Sequence, residues 1–174
     1  MGNTASDIVK MIKEHEIEWV DVRFTDPRGK WHHLSMCGHI IDEDMLEEGF
    51  MFDGSSIGGW KVINESDMIL RPDLDAMYMD PFSATPMMIL ICNIVEPGDG
   101  SLYRRDPRST AVRAESYLKS TGIGDTVYVG TEPEFFMFDD VKFETGYDRS
   151  GFKIDDVELP TNSGRDYDVG NMGH

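Results

Sequence analysis

The chain has 174 residues, 33 acidic against 16 basic, for a formal net charge of −17 and a pI near 4.5. So negative a balance excludes a surface built for nucleic acid or an anionic membrane and favours cations or metal-complexed ligands, although a solvated acidic surface would by itself account for most of the acids. Only Cys37 and Cys92 occur, far apart and without CxxC spacing, which excludes a disulfide framework and a zinc site and points to a reducing cytoplasm.

The longest apolar run, 87–92, is too short to span a bilayer, and the start lacks the hydrophobic region of a signal peptide. Residues 1–6 match the loose myristoylation pattern, but nothing nearby supplies a second anchoring signal.

In chain order, Ser6 caps a short amphipathic helix that carries Ile8, Val9, Met11 and Ile12 and ends near Glu14. Residues 17–25 alternate as a strand with Val20, Val22 and Phe24 on one face. The turn Asp26-Pro27-Arg28-Gly29 then leads into a second strand over 30–36. Residues 42–48 form a short acidic helix closed by Gly49, and 87–95 form an apolar strand ended by Glu96-Pro97-Gly98-Asp99-Gly100. Asp106-Pro107 opens a helix that runs to Ser120 and is stopped by Gly122. A strand over 127–138 follows, then strands over 142–144 and 152–159 around a turn rich in Gly, Asp and Ser. The tail 160–174 is polar and aperiodic. The domain boundary falls between Glu96 and Arg105.

The strand over 127–138 places Glu132 and Glu134 in an otherwise apolar run, Val127-Tyr128-Val129-Gly130-Thr131-Glu132-Pro133-Glu134-Phe135-Phe136-Met137-Phe138. Strand side chains alternate faces, so the two carboxylates point the same way, roughly 6.5 to 7 Å apart. Their desolvation would be offset by a divalent cation or a basic partner. A half-exposed strand with two solvated acids is the other reading, and both stand open here. Pro133 marks an edge strand, a bulge or a cavity rim.

A second run, Phe50-Met51-Phe52-Asp53-Gly54-Ser55-Ser56-Ile57-Gly58-Gly59-Trp60, sets one acid between bulky aromatics and a flexible Gly/Ser loop. Asp53 there suits a general base, and equally an ordinary Asx turn. Gly54-Ser55-Ser56-Ile57-Gly58 also matches the G-x-S-x-G nucleophile elbow. Gly58-Gly59-Trp60 breaks the helix an elbow needs, and only His174 follows Ser56 as a candidate base. His32, His33 and His39 are surface or packing residues, since adjacent strand histidines face opposite sides. Arg104, Arg105 and Arg108 could meet a phosphate or form a salt-bridged face. No phosphate-binding GxxxxGK[ST] or GxGxxG run exists, so no residue is assigned to a nucleotide.

Taken together, Phe52-Asp53-Gly54-Ser55-Ser56-Ile57, Glu65-Ser66-Asp67-Met68 with Arg71-Pro72-Asp73, and Gly130-Thr131-Glu132-Pro133-Glu134-Phe135-Phe136 resemble bacterial type I glutamine synthetase. Thr131 stands where many members have proline. Asn171-Met172-Gly173-His174 resembles the start of a further family stretch, so the chain reads as an N-terminal fragment, inactive alone.

The resemblance implies an α+β protein: an N-terminal helix over 1–16, a β-grasp domain over 17–97 and the beginning of the catalytic domain over 105–174. It implies an ATP-dependent glutamate–ammonia ligase that forms glutamine through a γ-glutamyl phosphate, with two Mg²⁺ or Mn²⁺ ions per complete site and ATP as substrate. Glu132 and Glu134 are implied metal ligands, the first for the ion at the ATP phosphates and the second for the ion nearer glutamate. Asp53 is the implied catalytic aspartate that binds ammonium and takes its proton. The implied partners are glutamate, ammonium, ATP and further copies of the chain, in a cytoplasmic dodecamer whose active site is shared between neighbouring subunits. Trp60 either shapes that interface or packs internally. The alternative is a non-catalytic cation-binding or interaction module that kept the family sequence.

Overall fold

The computed structural model describes residues 2–156, which fall into two compact units divided between Val127 and Tyr128. The tail 160–174, the end of the strand expected over 152–159 and the motif Asn171-Met172-Gly173-His174 lie outside the described residues.

The first unit opens with α1, Ala5–Glu14. Its cap is Thr4 rather than the expected Ser6. Thr4 Oγ1 accepts from the Asp7 amide (3.2 Å), and the Asp7 carboxylate accepts from the Thr4 amide (2.9 Å) in return. This reciprocal pairing satisfies two end donors at once, which a cap at Ser6 would not do. Ala5, Ile8 and Ile12 form its buried stripe.

Strands β1 (Trp19–Thr25) and β2 (Trp31–Cys37) are the expected hairpin, antiparallel with Val22 opposite Leu34. Asp26 fastens the turn: its Oδ1 accepts from the amides of Arg28 (2.8 Å) and Lys30 (2.9 Å). Helix α2, Glu43–Glu48, is capped by Asp42 and ends at Gly49, whose φ of 91° and tight approach to the Leu70 carbonyl exclude a side chain.

Three further strands complete the sheet: β3 (Phe50–Asp53), β4 (Asp67–Met79) and β5 (Met87–Val95), in the order β2-β1-β5-β4-β3. Only the β1–β5 pair is parallel. Neither β3 nor β4 was expected from the sequence. Four residues are too few to show a period in β3, and Pro72 between Arg71 and Asp73 disguises the alternation of Met68, Leu70 and Pro72, all of which are buried. β3 pairs with β4 only as far as Leu70, and the register with β5 shifts between Pro72 and Met77, so proline sits where the ladder is already interrupted. The N-terminus fills that interruption, with Asn3 Nδ2 donating to the Leu74 carbonyl (3.0 Å) and the Asn3 amide to Asp75 (2.7 Å).

One face of the sheet carries Val20, Val22 and Phe24 with Met88, Leu90, Cys92 and Ile94, and these join α1 and Leu46 of α2 in one core. Helix α3, Pro107–Thr121, begins at Asp106 as expected and stops at Gly122 in the left-handed region. It belongs to the same unit because Asp106, itself buried, accepts from the Ser109 hydroxyl and amide and from the Ile94 amide of β5.

The described part of the second unit holds one antiparallel hairpin, β6 (Asp140–Thr145) with β7 (Ser150–Asp155). The expected strand over 127–138 is absent: these residues carry no ladder. An alternating segment needs a neighbouring strand to accept its backbone hydrogen bonds, and among the described residues β6 and β7 pair with each other.

Candidate active-site residues

Asp53 closes β3 and faces Asp67 in the antiparallel register with β4. Two carboxylates set opposite each other would repel, and local donors offset this at Asp53. Oδ1 accepts from the Ser55 hydroxyl (2.6 Å) and the Ser55 amide (2.9 Å), and Oδ2 accepts from the Ser56 hydroxyl (2.9 Å). The Ser55 hydroxyl, then its amide, then the Ser56 hydroxyl hold the Asp53 carboxyl below the usual carboxylate range. The result is an exposed, ionised carboxylate.

The loop that carries it is short and hydrogen-bonded to Ser66, the residue just before β4. Residues Gly54–Ser56 form a single tight helical turn, and the Gly54 amide donates to the Ser66 carbonyl (2.7 Å). A Cβ on Gly54 would meet the Met68 sulfur, so only glycine lets the turn lie on β4. Both serine hydroxyls are spent on Asp53 and no α-helix follows them, so the G-x-S-x-G match has no nucleophile-elbow geometry.

Trp60 packs internally. Its ring lies 5.6 Å from Phe24, 6.1 Å from Phe52 and 5.5 Å from Tyr103 between centroids, in a cluster that backs the Asp53 turn. A cleft of about 580 Å³ opens beside it, lined among others by Trp31, His33, Met51, Asp53 and Ser56.

The histidines serve structure. His32 stacks on Phe24 at 5.4 Å with its Nε2 3.0 Å from Asp26 Oδ2, and His33 Nδ1 lies 2.7 Å from Asp21 Oδ1. Sequence reasoning missed Asp21, a buried carboxylate that also accepts from Ser35 Oγ (2.6 Å) and Arg23 Nε (2.5 Å). Burial pushes its pKa up, but the hydrogen bonds from Ser35, Arg23 and His33 outweigh that and hold it below the usual range. An acid at the third residue of β1, within an alternating strand, was the available signal.

Two arginines of the α3 region, Arg105 and Arg108, are also engaged within the first unit. Arg105 Nη1 donates to the carbonyls of Gly59 (2.6 Å) and Trp60 (3.1 Å), and Arg108 donates to Asn93 (3.0 Å) and Asp73 (2.5 Å).

Glu132 and Glu134 belong to the second unit and are exposed, outside any strand. Among the described residues no three His, Cys, Asp or Glu side chains gather in a group able to hold a metal ion. Carboxylate oxygens suit a hard divalent cation, which takes about six or more oxygens, so the pair fits such an ion as part of a ligand set.

The family model for the glutamine synthetase beta-Grasp domain matches residues 16–97, and that for the glutamine synthetase catalytic domain matches residues 104–173. The chain belongs to the glutamine synthetase family. It is 56% identical over 171 residues to a glutamine synthetase of Rhizobium meliloti (strain 1021) and 52% identical over 171 residues to one of Escherichia coli (strain K12), covering 98% of this chain and 36% of each relative. The cryo-EM structure of Plasmodium falciparum glutamine synthetase aligns with a TM-score of 0.73 at 26% identity, over 90% of this chain and 30% of that one. The chain thus spans about a third of the length of the bacterial relatives it matches. The α+β architecture, a β-grasp domain followed by the start of the catalytic domain, is that of a glutamine synthetase. No helix among the described residues is long and apolar enough to cross a membrane.

Proposed function

We propose that this chain is the N-terminal part of a glutamate–ammonia ligase, with the β-grasp domain over 17–97 and the opening of the catalytic domain over 105–174. In that reaction the γ-carboxylate of glutamate takes a phosphoryl group from ATP. Ammonia then attacks the acyl carbon, forming the C–N bond as the bond to phosphate breaks. The role of Asp53 is to hold ammonium and accept its proton, leaving the neutral nucleophile. The observation that carries this role is an exposed carboxylate kept ionised by its own turn, available to a cation without a competing basic side chain bound to it.

Glu132 and Glu134 would contribute ligands to bound Mg²⁺ or Mn²⁺. Such ions supply charge neutralisation at the phosphates and the substrate carboxylate. No described residue is assigned to ATP, and the 174-residue chain by itself is expected to form no glutamine. Assembly as a cytoplasmic homo-oligomer, a dodecamer whose sites are shared between neighbouring subunits, is part of the same reading.

A chimaera tests it, with residues 1–174 replacing the matching segment of the Rhizobium meliloti enzyme. ATP-dependent glutamine formation is expected, and Asp53→Asn should lower kcat/KM for ammonia by about 10²-fold or more. A folded chimaera without activity would favour the rival, a non-catalytic cation-binding or interaction module. Full activity in Asp53→Asn would remove Asp53 from the chemistry.

A further inference from the structure

The two oxygens of the Asp53 carboxylate are not equivalent. Oδ1 receives two donors, both from Ser55, whereas Oδ2 receives the Ser56 hydroxyl, and the Ser66 hydroxyl adds a weaker contribution to the carboxylate. Asp53 is exposed at a strand end, so rotation of its carboxylate about χ2 is governed chiefly by its hydrogen bonds rather than by burial. Hydrogen bonds are what orient it. The Ser55 donors are themselves held in place, since Gly54 is tied to Ser66 and has no room for a side chain against Met68.

We propose that Ser55 is a positioning residue for the ammonia step, clamping Oδ1 of Asp53 through two donors and so fixing the orientation in which the carboxylate meets the ammonium ion. The inference rests on the reading of Asp53 as the ammonium-binding base and adds a residue to it. Other charged groups around Asp53 are Asp67 across the β3–β4 pair and Lys30, His32 and His33 along the cleft. His32 and His33 are engaged by Asp26 and Asp21, so these two histidines do not substitute for the Ser55 donors.

Two measurements test this. In the 174-residue chain, carboxyl ¹³C NMR should show Asp53 titrating at higher pH in Ser55→Ala than in wild type, and at the wild-type position in Ser55→Thr, because the hydroxyl is the largest contributor holding the carboxyl down. In the chimaeric enzyme, Ser55→Ala should raise KM for ammonia about tenfold and move the acid limb of its pH profile upward, with KM for glutamate and ATP unchanged and Ser55→Thr restoring both. Should Ser55→Ala disturb the β3–β4 amide signals, Ser55→Gly keeps the amide donor and replaces it. A wild-type ammonia KM and pH profile in a variant whose Asp53 titration has shifted would reduce Ser55 to a turn residue. Loss of the underlying reading looks different, since Asp53→Asn would then retain ammonia use whatever Ser55 does.

Discussion

Asp21 and Asp53 are both held below the ordinary carboxylate range, and they differ in what that does. Asp53 is exposed and its donors orient it, whereas Asp21 is buried and its donors compensate a desolvation penalty. A depressed folded-state pKa contributes stability that is present above the unfolded value near 3.9 and is lost as pH falls through the folded one. Melting temperatures followed from neutral pH downward should therefore fall below about pH 4, and Asp21→Asn should flatten that dependence. At neutral pH the same variant should cost about 2 kcal/mol by denaturant unfolding, a figure moderated because Arg23 and His33 both reach solvent. An acid dependence unchanged in Asp21→Asn would place the sensitive group elsewhere. Neither role was legible from the residue alone: an acid in a strand and an acid before Gly-Ser-Ser look alike until their donors are known.

Elements differ in how far their sequences determined them. β1 and β5 are hydrophobic enough, and α3 is well enough capped, that local preference and tertiary packing agree. In β5, Leu90 is fully buried opposite Val22. Leu90→Ala should accordingly cost about 3 kcal/mol in urea unfolding, whereas a loss below about 1 kcal/mol would mean that the core collapses around the gap. The segment 127–138 shows the opposite case, where a strand-like pattern finds no ladder among the described residues. Its two glutamates remain the proposed ligands. Calorimetry on the chain should detect weak Mg²⁺ or Mn²⁺ binding that disappears in Glu132→Gln with Glu134→Gln, and binding retained by that double variant would locate the ions elsewhere on the acidic surface.

At the scale of the whole molecule, Asp53 and the two glutamates lie in different compact units. If the proposed site is shared between neighbouring subunits, Asp53→Ala and Glu132→Ala damage opposite halves of it. Mixed oligomers of the two inactive chimaeras should then recover part of the activity, because some interfaces pair an intact Asp53 with an intact Glu132. Mixed oligomers that form and stay inactive would mean that both residues serve one subunit. The acidic balance of −17 acts at this scale too, as a long-range repulsion between copies that salt screens and that contacts in the proposed oligomer must outweigh.

The sequence by itself determined the family, through three ordered motifs, and also the hairpin of β1 and β2, strand β5 and the limits of α3, because alternation, turn residues and caps are local signals that act over a few residues. Only the tertiary structure decided that Phe50–Asp53 is an edge strand, that a thirteen-residue strand containing Pro72 runs beside it, and that Trp60 joins Phe24, Phe52 and Tyr103. It also decided that Ser55 and Ser56 are spent on Asp53, and that Asp21 is buried. The physical reason is that strand pairing and carboxylate burial depend on partners far along the chain, and a residue's own neighbours in sequence do not specify those partners.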